Sequence, residues 1–236
     1  DYLMGRTDFP APIIQPAEDS SESREPLSDH SSTYLKLLLD NNTEKAGELI
    51  AELRGQGIPI NSIYLDVLQP ALYEVGRLWE TGEIDVMQEH LVSEATLQLI
   101  NRVSEDLKID PEGPGFLGFA CCGEQHGIGI KMISDLLLEN GFRTYFMRGT
   151  LPMPSVLKAI RDLNIDVVGI STTMPYHINA ASALITMIHN SDLFRKVKIV
   201  VGGQAYLQDE MLWATLRADG YAKDADKAVK LICSWE

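Results

Sequence analysis

Phe116-Leu117-Gly118-Phe119-Ala120-Cys121-Cys122-Gly123-Glu124-Gln125-His126-Gly127-Ile128-Gly129 passes from a short apolar run through a polar, glycine-flexed loop into a helical pattern. Three similar apolar runs follow it: Thr144-Tyr145-Phe146-Met147, Val167-Val168-Gly169-Ile170 and Val197-Lys198-Ile199-Val200-Val201. Helical segments are predicted between and after them, over 127–140, 154–163, 176–190, 208–217 and 224–234. Near-continuous apolar strands alternating with helices mean a parallel sheet covered on both faces. The region from 113 to 236 is the size of a flavodoxin-like, Rossmann-type sheet of five strands, smaller than a full dinucleotide-binding fold. Ligands in such sheets sit beyond the carboxyl ends of the strands, so the residues there decide the function.

The first of those ends carries Glu124 and His126, two residues apart on a loop that enters a helix. The spacing suits an imidazole reaching for a ligand while a carboxylate fixes its orientation and basicity. The G-x-G-x-x-G and Walker A patterns of nucleotide sites are absent from this loop. The third strand ends in Ser171-Thr172-Thr173, whose hydroxyls can donate to a ligand or cap the next helix. The fourth ends in Gly202-Gly203, which can turn the chain or let a bulky group lie against bare backbone. Cys121-Cys122 lacks the C-x-x-C geometry that zinc favours and reads as buried strand-end packing. His177 and His189, 12 positions apart on a predicted helix, read as surface residues, and Met174, Pro175 and Tyr176 lie close enough to Ser171 to reach a ligand's edge.

Upstream, residues 31–110 read as a four-helix bundle. Ser32 or Thr33 is the expected first cap, before Leu35, Leu38 and Leu39; Thr43 is the second, before Ala46, Leu49, Ile50 and Leu53. A third stripe runs from Ile63 to Leu78, with Pro70 tolerated only as a kink or early-turn residue. A last long segment spans Asp85 to Leu107. Residues 1–30 contain Pro10, Pro12, Pro16 and Pro26 and the polar run 18–23, and read as an unfolded acidic arm. The 236-residue chain carries 20 Lys and Arg against 34 Asp and Glu, a net charge of -14, which argues against direct nucleic-acid binding. It has no apolar run long enough to span a membrane, no signal-peptide pattern and only 3 cysteines, so a cytoplasmic location is expected.

Taken together, Glu124-x-His126-x-x-Gly129, then 41 residues to Ser171-x-Thr173, then Gly202-Gly203, resembles the cobalamin-binding domain. The resemblance implies that His126 is the lower axial cobalt ligand, replacing the cofactor's own dimethylbenzimidazole. Ser171 would then bond the displaced base, and Gly202-Gly203 would line the channel for the nucleotide tail. It also places Gln125, Gly127 and Thr173 at the cofactor. In the helical half, Trp79 followed by nine residues and Glu89-His90 is similar to the signature of the CarH/LitR-type cobalamin-dependent photoreceptors, whose bundle caps the upper face. That likeness implies a light sensor in which Trp79, Glu89 and His90 surround the adenosyl group of adenosylcobalamin. Relatives of this kind also raise haem or a bilin as a second chromophore. The best-known transcriptional members carry His after the Trp, and this chain has Glu80. The usual DNA-binding helix-turn-helix is not seen ahead of the bundle in this sequence, so the chain resembles the stand-alone AerR-like group or a sensor module cut from a longer protein. Action through self-association, a regulatory protein partner or a fused output domain is expected. The competing reading is a corrinoid methyl-carrier subunit of a methyltransferase system.

Overall fold

The computed structural model describes residues 27–235 apart from Cys122, Gln125, Gly149, Thr150, Gln208, Glu210 and the side chain of Leu193. The expected arm thus lies outside the described residues up to position 26. From there the helical region starts earlier than expected. Helix α1 spans Ser28–Leu39, so neither Ser32 nor Thr33 is its cap. Both fall inside the helix; the Thr33 hydroxyl instead donates back to the Asp29 carbonyl, as mid-helix threonines do. Helix α2 is Thr43–Gly55, and its cap is Asn42, whose side chain accepts from the Lys45 N–H.

The third rod is composite: α3 (Ile60–Ser62), a π-helical segment (Ile63–Leu68) and α4 (Gln69–Glu80) run on without a break. Pro70 lies in the first turn of α4. A proline inside a helix cannot donate to the carbonyl four residues back, and the wider π register just before it takes up that irregularity. Helix α5, Val86–Ser104, begins at Asp85 with a full capping box: the Asp85 side chain accepts from the Gln88 N–H, and the Gln88 side chain reaches back to the Asp85 N–H. It stops three residues short of the expected Leu107.

The second half contains β1 (Gly115–Ala120), α6 (Ile128–Glu139), β2 (Arg143–Met147), α7 (Met153–Asp162), β3 (Val167–Ser171), α8 (Ile178–His189), β4 (Lys198–Gly202), the short α9 (Leu212–Thr215), β5 (Gly220–Ala222) and α10 (Ala225–Cys233). The sheet has 5 parallel strands in the order β2-β1-β3-β4-β5, the flavodoxin-like order with its switch point between β1 and β3. Its register matters for the site. Ala120 pairs with Ser171, and Ser171 with Gly202, so three strands end level. The ladder continues past them through Cys121 N–H to Ser171 O at 2.8 Å and Thr172 N–H to Gly202 O at 2.9 Å.

Helical region and sheet share one apolar body. Met132 and Leu136 of α6 and Ala225 at the start of α10 belong to the same buried cluster as Tyr34, Ile50, Tyr64, Val67 and Ile100 of the helical region. At that seam lies a buried polar knot. Tyr64 Oη donates to Asp135 Oδ2 at 2.9 Å, Lys131 pairs with Asp135 one helical turn away, and Lys131 Nζ also donates to Ser104 Oγ at 3.2 Å. Burial pushes the Asp135 carboxyl above its usual range, and Lys131 works against that shift. Burial, with the Asp135 charge beside it, likewise holds the Tyr64 phenol well above its ordinary value. No helix among the described residues is long and apolar enough to cross a membrane.

Candidate cobalamin site

The loop after β1 is organised by one carboxylate. Glu124 is 2% exposed, and its two oxygens divide the work. Oε1 accepts from the His126 ring at Nδ1 and from the His126 N–H at 3.3 Å. Oε2 accepts from the N–H groups of Thr173 at 3.0 Å and Met174 at 2.9 Å, just past β3. It also meets the ring of His177, with Nδ1 at 3.1 Å. Burial pushes Glu124 upward, but the donors from His126, Met174 and His177 outweigh it and hold the carboxyl well below the usual carboxylate range. An ionised carboxylate is an acceptor only, so both imidazoles donate their Nδ1 protons to it. For His126 this leaves Nε2 as the bare, basic nitrogen. Its bond to Glu124 also raises the His126 pKa against the effect of burial. The His126 side chain is 54% exposed, against 1% for Glu124: the carboxylate is inside and the ring faces out. The arrangement is that of a metal-ligating imidazole backed by a carboxylate.

Beneath the level strand ends lies a cleft of about 170 Å³ lined by Gly129, Gly169, Ser171, Gly202, Gly203 and Ala222, among others. It is smaller than the ~300 Å³ of a whole-ligand pocket, so it suits a ligand's tail. Its glycines differ in kind. A Cβ on Gly203, which has φ +106, would stand 2.3 Å from the Thr172 carbonyl oxygen, and one on Gly202 would stand 2.7 Å from that of Ala222. A Cβ on Gly129 would meet nothing within 4 Å. Protein packing therefore does not require Gly129. A larger groove, about 860 Å³ and lined by Leu27, Leu35, Leu65 and Pro70 among others, belongs to the helical region and shares no residue with these loops.

Helix α5 faces the loop from the other side. The Glu89 charge is felt at His126, and Arg148, just past β2, makes a bidentate pair with Glu94. Met87, His90, Leu91 and Glu94 recur at helical spacing, and Met87 and Leu91 are exposed. Glu89 accepts from Ser93 Oγ at 2.7 Å and pairs with the neighbouring His90. Trp79, at the end of α4, is 47% exposed and so is not a core residue. A carboxylate-backed imidazole that feels the Glu89 charge of α5, together with a glycine cleft at the strand ends, forms a candidate site for a cofactor with a tail.

The sequence-based assignments divide accordingly. Glu124 and His126 are brought together, as are Ser171, Gly202, Gly203 and Gly129. The Glu89 charge reaches His126 from α5, while His90 is exposed and paired with Glu89. Gln125 lies outside the described residues. Thr173 is tied to the same loop by its backbone N–H, which donates to Glu124 Oε2. Gly127 is not forced by close packing, since a Cβ there would make an ordinary 3.5 Å contact with Phe146. His177 was misread as surface: α8 begins one residue later than that ring. The Pro175–His177 turn of 3₁₀ helix folds it back onto Glu124. The proline after Ser171-Thr172-Thr173-Met174 was the available signal for such a turn.

Level strand ends, a ligand-type histidine and a helical cap define the architecture of a corrinoid-binding module. Comparison with known families agrees: B12 binding domain models match residues 119–230 and, in the helical region, 32–103. The dimethylamine corrinoid protein 3 of Methanosarcina acetivorans is 25% identical over 189 residues, covering 79% of this chain and 87% of the relative. The HTH-type transcriptional repressor CarH of Myxococcus xanthus is 29% identical over 150 residues, covering 63% of this chain and 49% of the relative. The structure of the Methanosarcina barkeri monomethylamine corrinoid protein shares the fold, with a TM-score of 0.76 at 20% identity, covering 89% of this chain and all of that one. These likenesses correct the balance of the sequence reading: corrinoid proteins span more of the chain than the photoreceptor-type repressor does.

One expected result follows from the cleft. Gly203→Ala puts a methyl group on the Thr172 carbonyl in a backbone region that disfavours side chains, so β4 must shift. Cobalamin affinity, measured by equilibrium dialysis, is expected to fall at least ~10-fold, the loss that about 1.4 kcal/mol of strain would cause. Gly129→Ala, made in open space, is expected to leave the melting temperature unchanged while weakening cobalamin binding. Unchanged binding in both variants would remove the cleft from the site.

Proposed function

We propose that this protein is a corrinoid carrier. Cobalamin is held between α5 and the strand-end loops, with His126 Nε2 as the lower cobalt ligand, and presented to a partner methyltransferase. The observation that carries the proposal is the outward-facing His126, backed by the buried Glu124, with the Glu89 charge of α5 felt at its ring. The extent of the likeness to methylamine-system corrinoid proteins supports the one-carbon role. When bound, cobalamin supplies a cobalt–carbon bond that can be made and broken at low cost. The chain's own residues do the rest. Glu124 orients His126 and raises the basicity of its Nε2; Gly129, Ser171, Gly202 and Gly203 accept the tail; and Met87 and Leu91 offer an apolar surface to the cofactor and to a docking enzyme.

A second reading, a light-responsive regulator using adenosylcobalamin, is favoured by Trp79 with Glu89-His90 and by the likeness to CarH. The two readings make opposite demands on α5. A carrier must admit a partner to the upper face and accept small upper groups; a sensor must close on a large one. The test compares methylcobalamin with adenosylcobalamin, in the dark and after green light, by binding affinity and analytical ultracentrifugation. The carrier reading expects affinities equal within about 10-fold, under 1.4 kcal/mol of discrimination, and no light-dependent change in size. A strong preference for the adenosyl form that is lost in Trp79→Ala, with a light-dependent change in assembly, would establish the sensor instead.

A further inference from the structure

We infer that His177 is a positioning residue for the cobalt ligand: by donating to the second oxygen of Glu124, it limits how strongly that carboxylate activates His126. The inference rests on the assignment of His126 as the lower ligand. It goes beyond that assignment by adding a second imidazole on the same carboxylate.

The geometry supports a built arrangement. The His177 side chain is only 15% exposed, and its Nδ1 lies 3.1 Å from Glu124 Oε2, while His126 uses Oε1. The ring is held on several sides. Tyr176 packs edge-on against it with centroids 4.3 Å apart. Gly123, at φ +86, leaves the space where a Cβ would come within 3.1 Å of His177 Nε2. The His177 carbonyl accepts a weak bond from Cys121 Sγ at 3.6 Å. Glycine at 123 therefore serves two needs, a left-handed turn and room for this ring.

The chemistry follows from sharing one charge. A carboxylate that pulls hard on the Nδ1 proton of His126 makes Nε2 a stronger donor to a metal. Each further donor on the carboxylate spreads its charge and weakens that pull. The Thr173 and Met174 N–H groups are backbone donors that anchor Glu124 whatever occupies position 177. Among the described residues, His177 is a side-chain donor to Oε2 and can be removed without removing those anchors. Its loss should therefore raise the donor strength of His126, whereas a residue that only held Glu124 in place would lower it when removed.

The test uses the full chain loaded with cob(II)alamin, its histidines labelled with the heavy nitrogen isotope and the cofactor unlabelled. The EPR splitting from the axial nitrogen reports which base is bound and in what fraction. Wild type is expected to show splitting from protein histidine. His177→Leu is expected to raise the ratio of histidine-bound to histidine-free cobalt about 10-fold, the low end of second-shell effects. His177→Gln, which restores an N–H donor, should return the ratio to within a few-fold of wild type and also controls for misfolding of the leucine variant. An unchanged or lowered ratio in His177→Leu, with His177→Gln behaving the same way, would overturn the role of His177 while leaving His126 as ligand. Wild-type splitting from the cofactor's own base alone would overturn the ligand assignment and this inference together.

Discussion

His126→Ala is expected to lower cobalamin affinity by more than ~10–100-fold, the cost usually seen when only an outer-shell partner of a metal ligand is lost. The expectation has a definite structural basis. Glu124 is buried and ionised, and its Oε1 is committed to His126 through both the ring and the backbone N–H. Alanine keeps the backbone bond and removes the ring, so the loop should hold its shape and the protein should fold. What disappears is the outward Nε2. The variant should still take up cobalamin weakly through the glycine cleft, but with a spectrum showing no protein histidine on cobalt. Added imidazole should restore part of the wild-type spectrum by entering the space the ring leaves. Glu124→Gln provides the graded comparison. It can keep an acceptor for the ring only by turning its NH2 toward the Thr173 and Met174 N–H groups, and it removes the charge, so its affinity should lie between those of wild type and His126→Ala. If His126→Ala binds cobalamin with unchanged affinity and spectrum, the lower ligand is not His126 and the carrier proposal fails with it.

Lys131→Met is expected to destabilise the protein by about 3–5 kcal/mol, the usual cost of stranding one member of a buried ion pair. At roughly 2–4 °C per kcal/mol for a chain of this size, the melting temperature should fall by about 6–20 °C. Lys131 and Asp135 are one turn apart on α6 and both buried, with Tyr64 and Ser104 completing the network from the helical region. Removing the ammonium leaves the Asp135 carboxylate with two neutral donors, the Tyr64 phenol and the Ser104 hydroxyl. Replacing the group as a whole should cost far less, because the penalty comes from the uncompensated charge. The triple variant Lys131→Met, Asp135→Leu, Tyr64→Phe is therefore expected to recover most of the lost stability. Equal melting temperatures for wild type and Lys131→Met would show that the pair carries no such cost. The same network bears on the site, since α6 starts directly after the His126 loop. Weakening it loosens the junction between helical region and sheet at the point where that loop is anchored.

Local pattern alone determined the sheet and its order class, because four apolar runs alternating with helical segments admit few other packings and short-range hydrophobic patterning is a property of the chain itself. It also determined the Glu124–His126 pair, since two residues on one loop are neighbours in any fold, and it located Pro70 at a helix irregularity. It missed what depends on distance in space. His177 is separated from Glu124 by 53 positions, and only the level ends of β1 and β3 with the turn after Met174 bring it onto the carboxylate. Nothing in the periodicity of 176–190 distinguishes that ring from a surface histidine. The Lys131–Asp135–Tyr64 network was equally hidden, because a charged pair at helical spacing normally faces solvent, and here the burial comes from packing the helical region on α6. The true cap of α2 was missed by one residue, since Asn42 and Thr43 are both good caps and only the chain's approach selects between them. The tertiary structure alone decided the balance of charge on Glu124. A carboxylate's donors come from wherever the chain returns to it, and here they come from Thr173, Met174 and His177 as well as from its near neighbour His126.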